Sequence, residues 1–247
     1  MYSEVDKQIL PRVLLSMVVF VAILAILLRK KSERIRAIPC AIVALLLLFI
    51  EVVKQRWNLL GEFDYFYLPF HYCSLFFLVI PLAEFFGTSL SRIFRPIAVC
   101  MSFMVSVAMY VYPCGIMGDL ELLGKEFKQT HGFLFHHLIL LYFLLAVAMR
   151  LCRPRPRDAF LMGGLGVVYT AVALPLAYTW NTNYCNFLES VIPALETLRP
   201  EWGQLNYTVF TILTITIGGS FSAFVYITLY TVVSKLLRLC FPAKQSG

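Results

Sequence analysis

Seven long apolar runs restrict what this chain can fold into more than any other feature of its sequence. Each run is close to or beyond about 18 residues, a length that at about 1.5 Å per residue matches a hydrocarbon layer about 30 Å thick. Only 14% of the residues are charged and the mean hydropathy is +0.78, so the chain cannot supply the polar surface of a soluble domain. The predicted fold class is therefore all-α, a polytopic membrane bundle of seven transmembrane helices formed by 13–28, 37–53, 69–86, 96–112, 132–151, 159–180 and 208–237.

The segments between these runs indicate one domain, 1–247, without a linker or a strong internal repeat. A formal charge of +7 raises the question of nucleic-acid binding. The basic residues lie between apolar runs rather than in one patch, which argues against a nucleic acid as partner and favours charge asymmetry across a bilayer. The start of the chain, 1–6, is acidic and polar rather than basic, so no signal peptide is expected.

The distribution of Lys and Arg predicts the orientation. With the N-terminus outside, 14 of the 21 basic residues fall in inner segments and 7 in outer ones, which favours N-out/C-in. The three tryptophans then lie at the outer interface, as interfacial aromatic residues prefer. A re-entrant or spanning piece at 188–198 would change this parity. We expect a multi-pass protein of the plasma membrane whose partner is membrane lipid, with an oligomeric state that the sequence does not indicate.

All four histidines and one cysteine are predicted to lie at the same outer mouth of the bundle. Cys73 follows Pro69 by four residues and His136 follows Gly132 by four, so both lie about 6 Å below the start of their helices. Glu51 has a comparable depth on the second run. Because ionisable groups in a bilayer usually face the bundle interior or a water-filled cavity, we expect a polar site here. Further polar residues, Asn183 and Tyr184, lie in the outer loop just above.

Helical geometry limits which of these side chains can share a cavity. His71 and Cys73 are two residues apart and face nearly opposite ways on a regular helix, so they can meet only if its first turn is unwound. At most one of the adjacent His136 and His137 is expected to point inward. The positive end of the helix dipole favours a Cys73 thiolate, whereas burial in an apolar wall opposes it. Simple packing is the alternative interpretation of this cysteine.

Metal and disulfide chemistry have weaker support. The sequence contains no HxxxH or CxxC pair that would place two ligands on one helical face, so a zinc site is a secondary hypothesis and no cofactor is predicted. Seven cysteines leave at least one unpaired within a single chain. A disulfide between Cys114 and Cys185 is compatible with their predicted outer loops, but spacing does not establish pairing.

Three short segments resemble the YwaF-like integral membrane proteins. They are LPFHYC at 68–73, FLFHH at 133–137, and the pair TNY at 182–184 with PEW at 200–202. A distant eukaryotic branch of that family is regarded as a lipid acyltransferase that acts on ether phospholipids through a cysteine and a histidine. The resemblance implies a bundle with an intramembrane Cys/His site open to lipid. In the eukaryotic branch the cysteine directly follows the motif proline, where this chain has Phe70, so the nucleophile would have to be Cys73 or be missing.

The leading hypothesis is lipid acyl transfer or hydrolysis, in which Cys73 attacks an acyl carbonyl and His136, chosen over His131, exchanges the proton. One alternative is a non-catalytic protein that binds or transports a small ligand or an ion, and another is a zinc-dependent membrane hydrolase. The candidate catalytic residues are Cys73, His136 and His71, and the candidate orienting residues are Glu51, which would set the histidine tautomer, Asn183, which would orient the carbonyl or donate to an oxyanion, and Tyr184.

Overall fold

Long apolar helices form the body of the computed structural model, which describes residues 3–240 and the side chains of 3–236. The described part of the chain is 83% helical and contains no strand. The helices are α1 (Glu4–Leu28), α2 (Glu33–Leu60), α3 (Phe76–Phe85), α4 (Gly87–Val111), α5 (Pro113–Met117), α6 (Phe127–Ala148), α7 (Pro156–Thr179), α8 (Pro193–Trp202), α9 (Gln204–Leu213) and α10 (Gly219–Cys240). A π-helical turn, Thr214–Gly218, joins α9 to α10.

Six of the seven predicted runs lie on helices that are long and apolar enough to cross a membrane. These are α1, α2, α4, α6, α7 and the continuous helix Gln204–Leu236. The helices extend beyond the predicted runs: α2 continues to Leu60 rather than 53, and α4 begins at Gly87 rather than 96. The protein is thus an all-helical, multi-pass membrane protein, while the seventh crossing and the orientation remain predictions.

The third predicted run departs from a continuous membrane helix. It contains a 3-10 turn, Tyr72–Leu75, followed by α3, and together they span about 23 Å. Residues 61–71, which we call the entering segment, precede this helix and have only one helical turn, Tyr65–Tyr67. The residue before a proline is restricted to extended conformations, and Leu68 before Pro69 has ψ 154°. The helix therefore begins three residues later than the apolar pattern predicts.

The entering segment reaches the middle of the bundle, because Tyr169, near the centre of α7, donates its hydroxyl to the carbonyl of Phe70 at 2.8 Å. Irregular backbone at this depth is tolerated only where its polar groups are satisfied by protein or face a cavity. Its carbonyls accept hydrogen bonds from side chains of several elements. The pairs are Tyr184 to Tyr65, His71 to Phe66, Gln55 to Tyr67, and Tyr169 to Phe70.

The two ends of the bundle differ in chemistry. The histidine end contains His71, His131, His136 and His137 together with the C-terminal half of α2, and the arginine end contains Arg34, Arg92, Arg95, Arg153 and Arg155. Tyr110 hydrogen-bonds the carbonyl of Leu10, which places the start of α1 at the histidine end. Glu84, near the end of α3, pairs with Arg95, which lies 3.9 Å from Glu33 at the start of α2. The entering segment and α3 therefore run from the histidine end to the arginine end.

Close helix packing follows the small residues of α7. A Cβ on Gly166 would lie 3.3 Å from the carbonyl oxygen of Ile215 in the π-helical turn, so a larger residue would require this turn to shift by a few tenths of an ångström. One apolar cluster contains buried side chains from most of the long helices, whereas α1 lies at the periphery with many exposed apolar residues. The 188–198 segment is not a span by length, since its only helical part is the start of the ten-residue α8, which has no buried side chain. The one-domain prediction for 1–247 and the basic tail extend outside the described residues.

Candidate functional site

A buried ion pair lies on the last turns of α2 at the histidine end. The Lys54 ammonium is 2.8 Å from Glu51 Oε1, and their side chains are only 10% and 6% exposed. Gln55 donates through Nε2 to the same Glu51 oxygen at 2.8 Å. Lys54 is not among the predicted site residues, because the predicted second run ends at 53 and hydropathy therefore places this lysine in a loop. The i, i+3 spacing of Glu51 and Lys54 is the signal that could have found it.

A cavity of about 320 Å³ opens beside this ion pair, between α2, the entering segment, the start of α3, α5 and the start of α6. Four of the six predicted site residues line it: Glu51, His71, Cys73 and His136. Lys54, Ser74, Cys114, Lys128 and His131 also line it, as do the aromatic rings of Trp57, Phe66, Tyr67, Phe127 and Phe135. Residues from four separate parts of the sequence thus share one mixed polar and aromatic cavity.

The backbone of α6 fixes the ring orientation of His136. Its Nδ1 lies 2.7 Å from the carbonyl oxygen of Gly132, one turn earlier on the same helix. A carbonyl can only accept, so Nδ1 carries the proton and, in the neutral ring, the lone pair is on Nε2. His136 lines the cavity and His137 does not, although both side chains are buried, so the prediction that only one of the two points inward holds for the cavity alone. The neutral His136 ring can therefore accept a proton at Nε2.

His71 and Cys73 both line the cavity because the chain is not a regular helix between them. His71 is extended, with φ −75° and ψ 149°, and the 3-10 turn starts only at Tyr72. His71 Nε2 donates to the carbonyl of Phe66 at 2.9 Å, and its ring contacts Tyr184 edge-on.

The Cys73 thiol makes no hydrogen bond to an imidazole among the described residues. All six cysteines described there are free, so the Cys114–Cys185 disulfide is not formed in this structure. Cys185 lies behind the entering segment, and burial raises its pKa to about 12, so it is a thiol rather than a thiolate. Cys73 and Cys114 are the two cysteines that line the cavity.

Two cavity-lining polar atoms are buried and have no hydrogen-bond partner within the described part of the chain. They are Oε2 of Glu51 and Nε2 of His131. An unpaired buried polar atom costs about 1–3 kcal/mol, so such atoms are usually satisfied by water or by a ligand. His131 was passed over in the sequence analysis in favour of His136, but both line the cavity. The cavity therefore offers unused hydrogen-bonding capacity.

The two loop residues predicted to contribute to the site have different positions. Tyr184 is buried, contacts His71 and hydrogen-bonds the Tyr65 carbonyl, so it supports the entering segment from behind. Asn183 does not line the cavity. Its Oδ1 accepts from the backbone of Leu188 and Glu189, and its Nδ2 donates to the Glu189 carbonyl, so this side chain organises its own loop.

No group of three or more His, Cys, Asp or Glu side chains that could hold a metal ion occurs in the described part of the chain. Histidine, cysteine and glutamate side chains all line the cavity, but no three of those described are grouped as metal ligands. The zinc hypothesis therefore gains no support from this geometry.

The fold and the cavity define an integral, multi-pass α-helical membrane protein with a polar cavity at one end of the bundle. A model of the TMEM164 family matches residues 3–221, and the chain belongs to the TMEM164 family, a family of transmembrane proteins. The match covers all four histidines and every residue that lines the cavity. A search of curated proteins and a search of solved structures found no match.

Proposed function

We propose that this protein is an intramembrane enzyme of lipid acyl transfer or hydrolysis, in which Cys73 is the nucleophile and His136 the base. The observation that carries the proposal is that Cys73, His136, His71 and Glu51, which come from three separate parts of the sequence, line one cavity. The resemblance of three segments to the YwaF-like proteins supports the same chemistry. Exposed apolar side chains surround the bundle, so lipid is the substrate that lies nearest to the cavity.

The reaction uses two lipids, an acyl donor and an acceptor, or one lipid and water. The Cys73 sulfur attacks the acyl carbonyl of a lipid ester while the thiol proton passes to Nε2 of His136. The ester C–O bond then breaks, the leaving alcohol takes that proton, and a thioester remains on Cys73. The hydroxyl of a lysolipid or of water attacks the thioester, His136 accepts its proton, and the sulfur leaves and is reprotonated. The products are a new ester or a free fatty acid.

Lys54 is better placed than Asn183 to stabilise the negative charge that forms on the carbonyl oxygen. Asn183 lies outside the cavity, whereas Lys54 lines it and uses one of its three N–H donors on Glu51. A buried cation aimed at a developing oxyanion is an effective form of transition-state stabilisation. We propose that Glu51 holds Lys54 in this position and that His71, bonded to Phe66, positions the segment that carries Cys73.

The proposal is tested by labelling with a lipid that carries a thiol-reactive headgroup, in liposomes containing the purified chain. Cys73→Ser should remove the label that peptide mapping finds at this position, and should abolish the transfer of a radiolabelled acyl group from phosphatidylcholine to a lysolipid. Cys114→Ser is the matched control, because Cys114 lines the same cavity and should not be needed for transfer. Unchanged transfer in Cys73→Ser would remove this residue from the mechanism.

We propose non-catalytic binding of a small polar ligand as the second candidate. The unpaired, buried Oε2 of Glu51 favours it, together with the absence of a hydrogen bond between Cys73 and an imidazole in the described residues. The ligand would carry a donor such as a hydroxyl or an ammonium group. Ethanolamine as probe should then raise the melting temperature of the purified chain, and Glu51→Gln should remove the effect. Glu62→Gln, an exposed change at the same end, is the control. No shift with the native chain would contradict binding.

We also propose that residues 1–247 form a single domain that crosses the plasma membrane seven times, N-out/C-in. The short α3 with the entering segment would supply the seventh crossing. The concentration of histidines at one end and of arginines at the other supports this orientation, since basic residues prefer the cytoplasmic side.

A further inference from the structure

A second and larger cavity lies at the arginine end, remote from the histidines. Its volume is about 1010 Å³, and it is bounded by the start of α2, the junction of α3 with α4, and the segment between α6 and α7. We call it the arginine cleft. Six arginines line it: Arg34, Arg92, Arg95, Arg153, Arg155 and Arg157. The mechanism proposed above uses none of them.

The acidic residues of the cleft are already engaged. Arg95 binds both carboxylate oxygens of Glu84, at 3.0 and 2.9 Å, and Tyr142 donates to the same carboxylate at 2.9 Å. Asp158 accepts the backbone N–H of Arg155 at 2.6 Å and lies 3.6 Å from Arg157. These contacts neutralise Arg95 and Arg157 locally.

Four guanidinium groups of the cleft remain unpaired. The side chains of Arg34, Arg92, Arg153 and Arg155 make no hydrogen bond or ion pair within the described residues, although Glu33 also lines the cleft. Each presents a planar set of N–H donors that suits the oxygens of a phosphate. The hydroxyls of Thr88 and Ser91 line the same cleft and add donors. Four cations around one concave space carry an unbalanced positive charge that an anion would neutralise.

One wall of the cleft is apolar and continues onto the lipid-facing side of the bundle. Ala37, Ile38 and Ala41 of α2 line it. Ile38 is 51% exposed, and Ile42, one turn further into the membrane, is 52% exposed. An occupant with a charged head and an apolar tail would therefore meet arginines at one end and a continuous apolar helix face at the other. A soluble phosphate compound would leave that face unused.

We propose that the arginine cleft is a binding site for an anionic phospholipid, with the phosphate between Arg34, Arg92, Arg153 and Arg155 and an acyl chain along α2. Basic pockets between transmembrane helices are suited to such headgroups, because the membrane holds the lipid at the correct depth. The site is independent of Cys73 and of acyl transfer. In the predicted orientation it faces the cytoplasmic leaflet.

Binding is measured by fluorescence anisotropy of phosphatidylglycerol labelled on one acyl chain, titrated with the full-length protein in dodecyl maltoside micelles. Phosphatidylcholine with the same label should bind at least about tenfold more weakly, because its headgroup has no net charge. The double variant Arg92→Gln/Arg153→Gln should weaken phosphatidylglycerol binding about 30-fold, given about fivefold for each cation near the membrane surface. Arg34→Gln alone should weaken it about fivefold, and it serves if the double variant fails to fold.

The matched control is Arg29→Gln/Lys30→Gln, which removes the same charge from the same end of the bundle but outside the cleft. It should leave binding within about twofold of the native value. An equal loss in the control and in the cleft variant would overturn the proposal, since the effect would then come from general surface charge. Equal affinity for the two lipids would also overturn it. Inorganic phosphate is the third arm: displacement of the lipid by phosphate at the lipid's own affinity would assign the cleft to free phosphate instead.

Discussion

Lys54 and Glu51 form a 2.8 Å ion pair on one face of α2, and both side chains are almost fully buried at the wall of the cavity. Removing one partner of such a pair leaves an uncompensated buried charge, which costs more than losing the pair as a whole. We expect Lys54→Met to lower the free energy of unfolding by about 3 kcal/mol. The double variant Glu51→Gln/Lys54→Met should recover much of that loss. Denaturation in detergent measures both, and additive losses would contradict the coupling.

The tautomer of His136 leads to a prediction for activity. Asn at this position can still donate to the Gly132 carbonyl, but it lacks the imidazole Nε2 that would accept the proton. His136→Asn should therefore preserve the fold and reduce acyl transfer by about 10²- to 10⁴-fold, the usual contribution of a general base. His137→Asn is the adjacent control and should retain activity, because His137 does not line the cavity. Equal losses in both variants would indicate a structural role.

The hydrogen bond from Tyr169 to Phe70 holds the entering segment at the centre of the bundle. Tyr169→Phe leaves a carbonyl without its donor and should destabilise the protein by about 1–3 kcal/mol. It should also reduce thiol labelling at Cys73, because the segment that carries this residue is less firmly held. Tyr226→Phe changes another buried tyrosine, and its smaller effect on labelling in the same assay is the expected contrast.

The predicted orientation is tested with single cysteines on a cysteine-free background. Glu189→Cys and Lys30→Cys place an exposed thiol at the histidine end and at the arginine end respectively. A membrane-impermeant maleimide added to intact cells should label residue 189, and residue 30 only after permeabilisation. The reverse result would place the histidine end inside.

Length and hydrophobicity were sufficient to predict most of the fold, because a bilayer requires continuous apolar helices and the sequence shows them directly. The third run was the exception. The predicted run starts at 69, but Pro69 holds Leu68 extended, and Tyr169, which is distant in sequence, satisfies the carbonyl of Phe70. Hydropathy reports burial and carries no information on which partner satisfies the backbone.

The candidate site was predictable in part for a related reason. Cys73, His136 and Glu51 all line the cavity, but their predicted depth was wrong, because α6 begins at Phe127, the turn that carries Cys73 begins at Tyr72, and α2 continues to Leu60. Lys54 lies outside the predicted second run, because hydropathy ends a run at a charged residue even where the helix continues, as α2 does to Leu60. The position of Asn183 depends on a loop with three left-handed residues, Asn181, Cys185 and Asn186, whose course no periodicity reveals. The residue types in this loop indicated that it is polar, but not in which direction the Asn183 side chain points.

Two different helices hold the entering segment, α2 through Gln55 and α7 through Tyr169. A change in the tilt of one helix relative to the other would move the carbonyls of Tyr67 and Phe70 apart, and His71 and Cys73 follow directly in the chain. Bilayer thickness is a common cause of such changes in tilt. The separation of the thiol from the imidazoles would consequently vary with the length of the surrounding acyl chains, so a thin and a thick membrane would present the same protein with different reactivity.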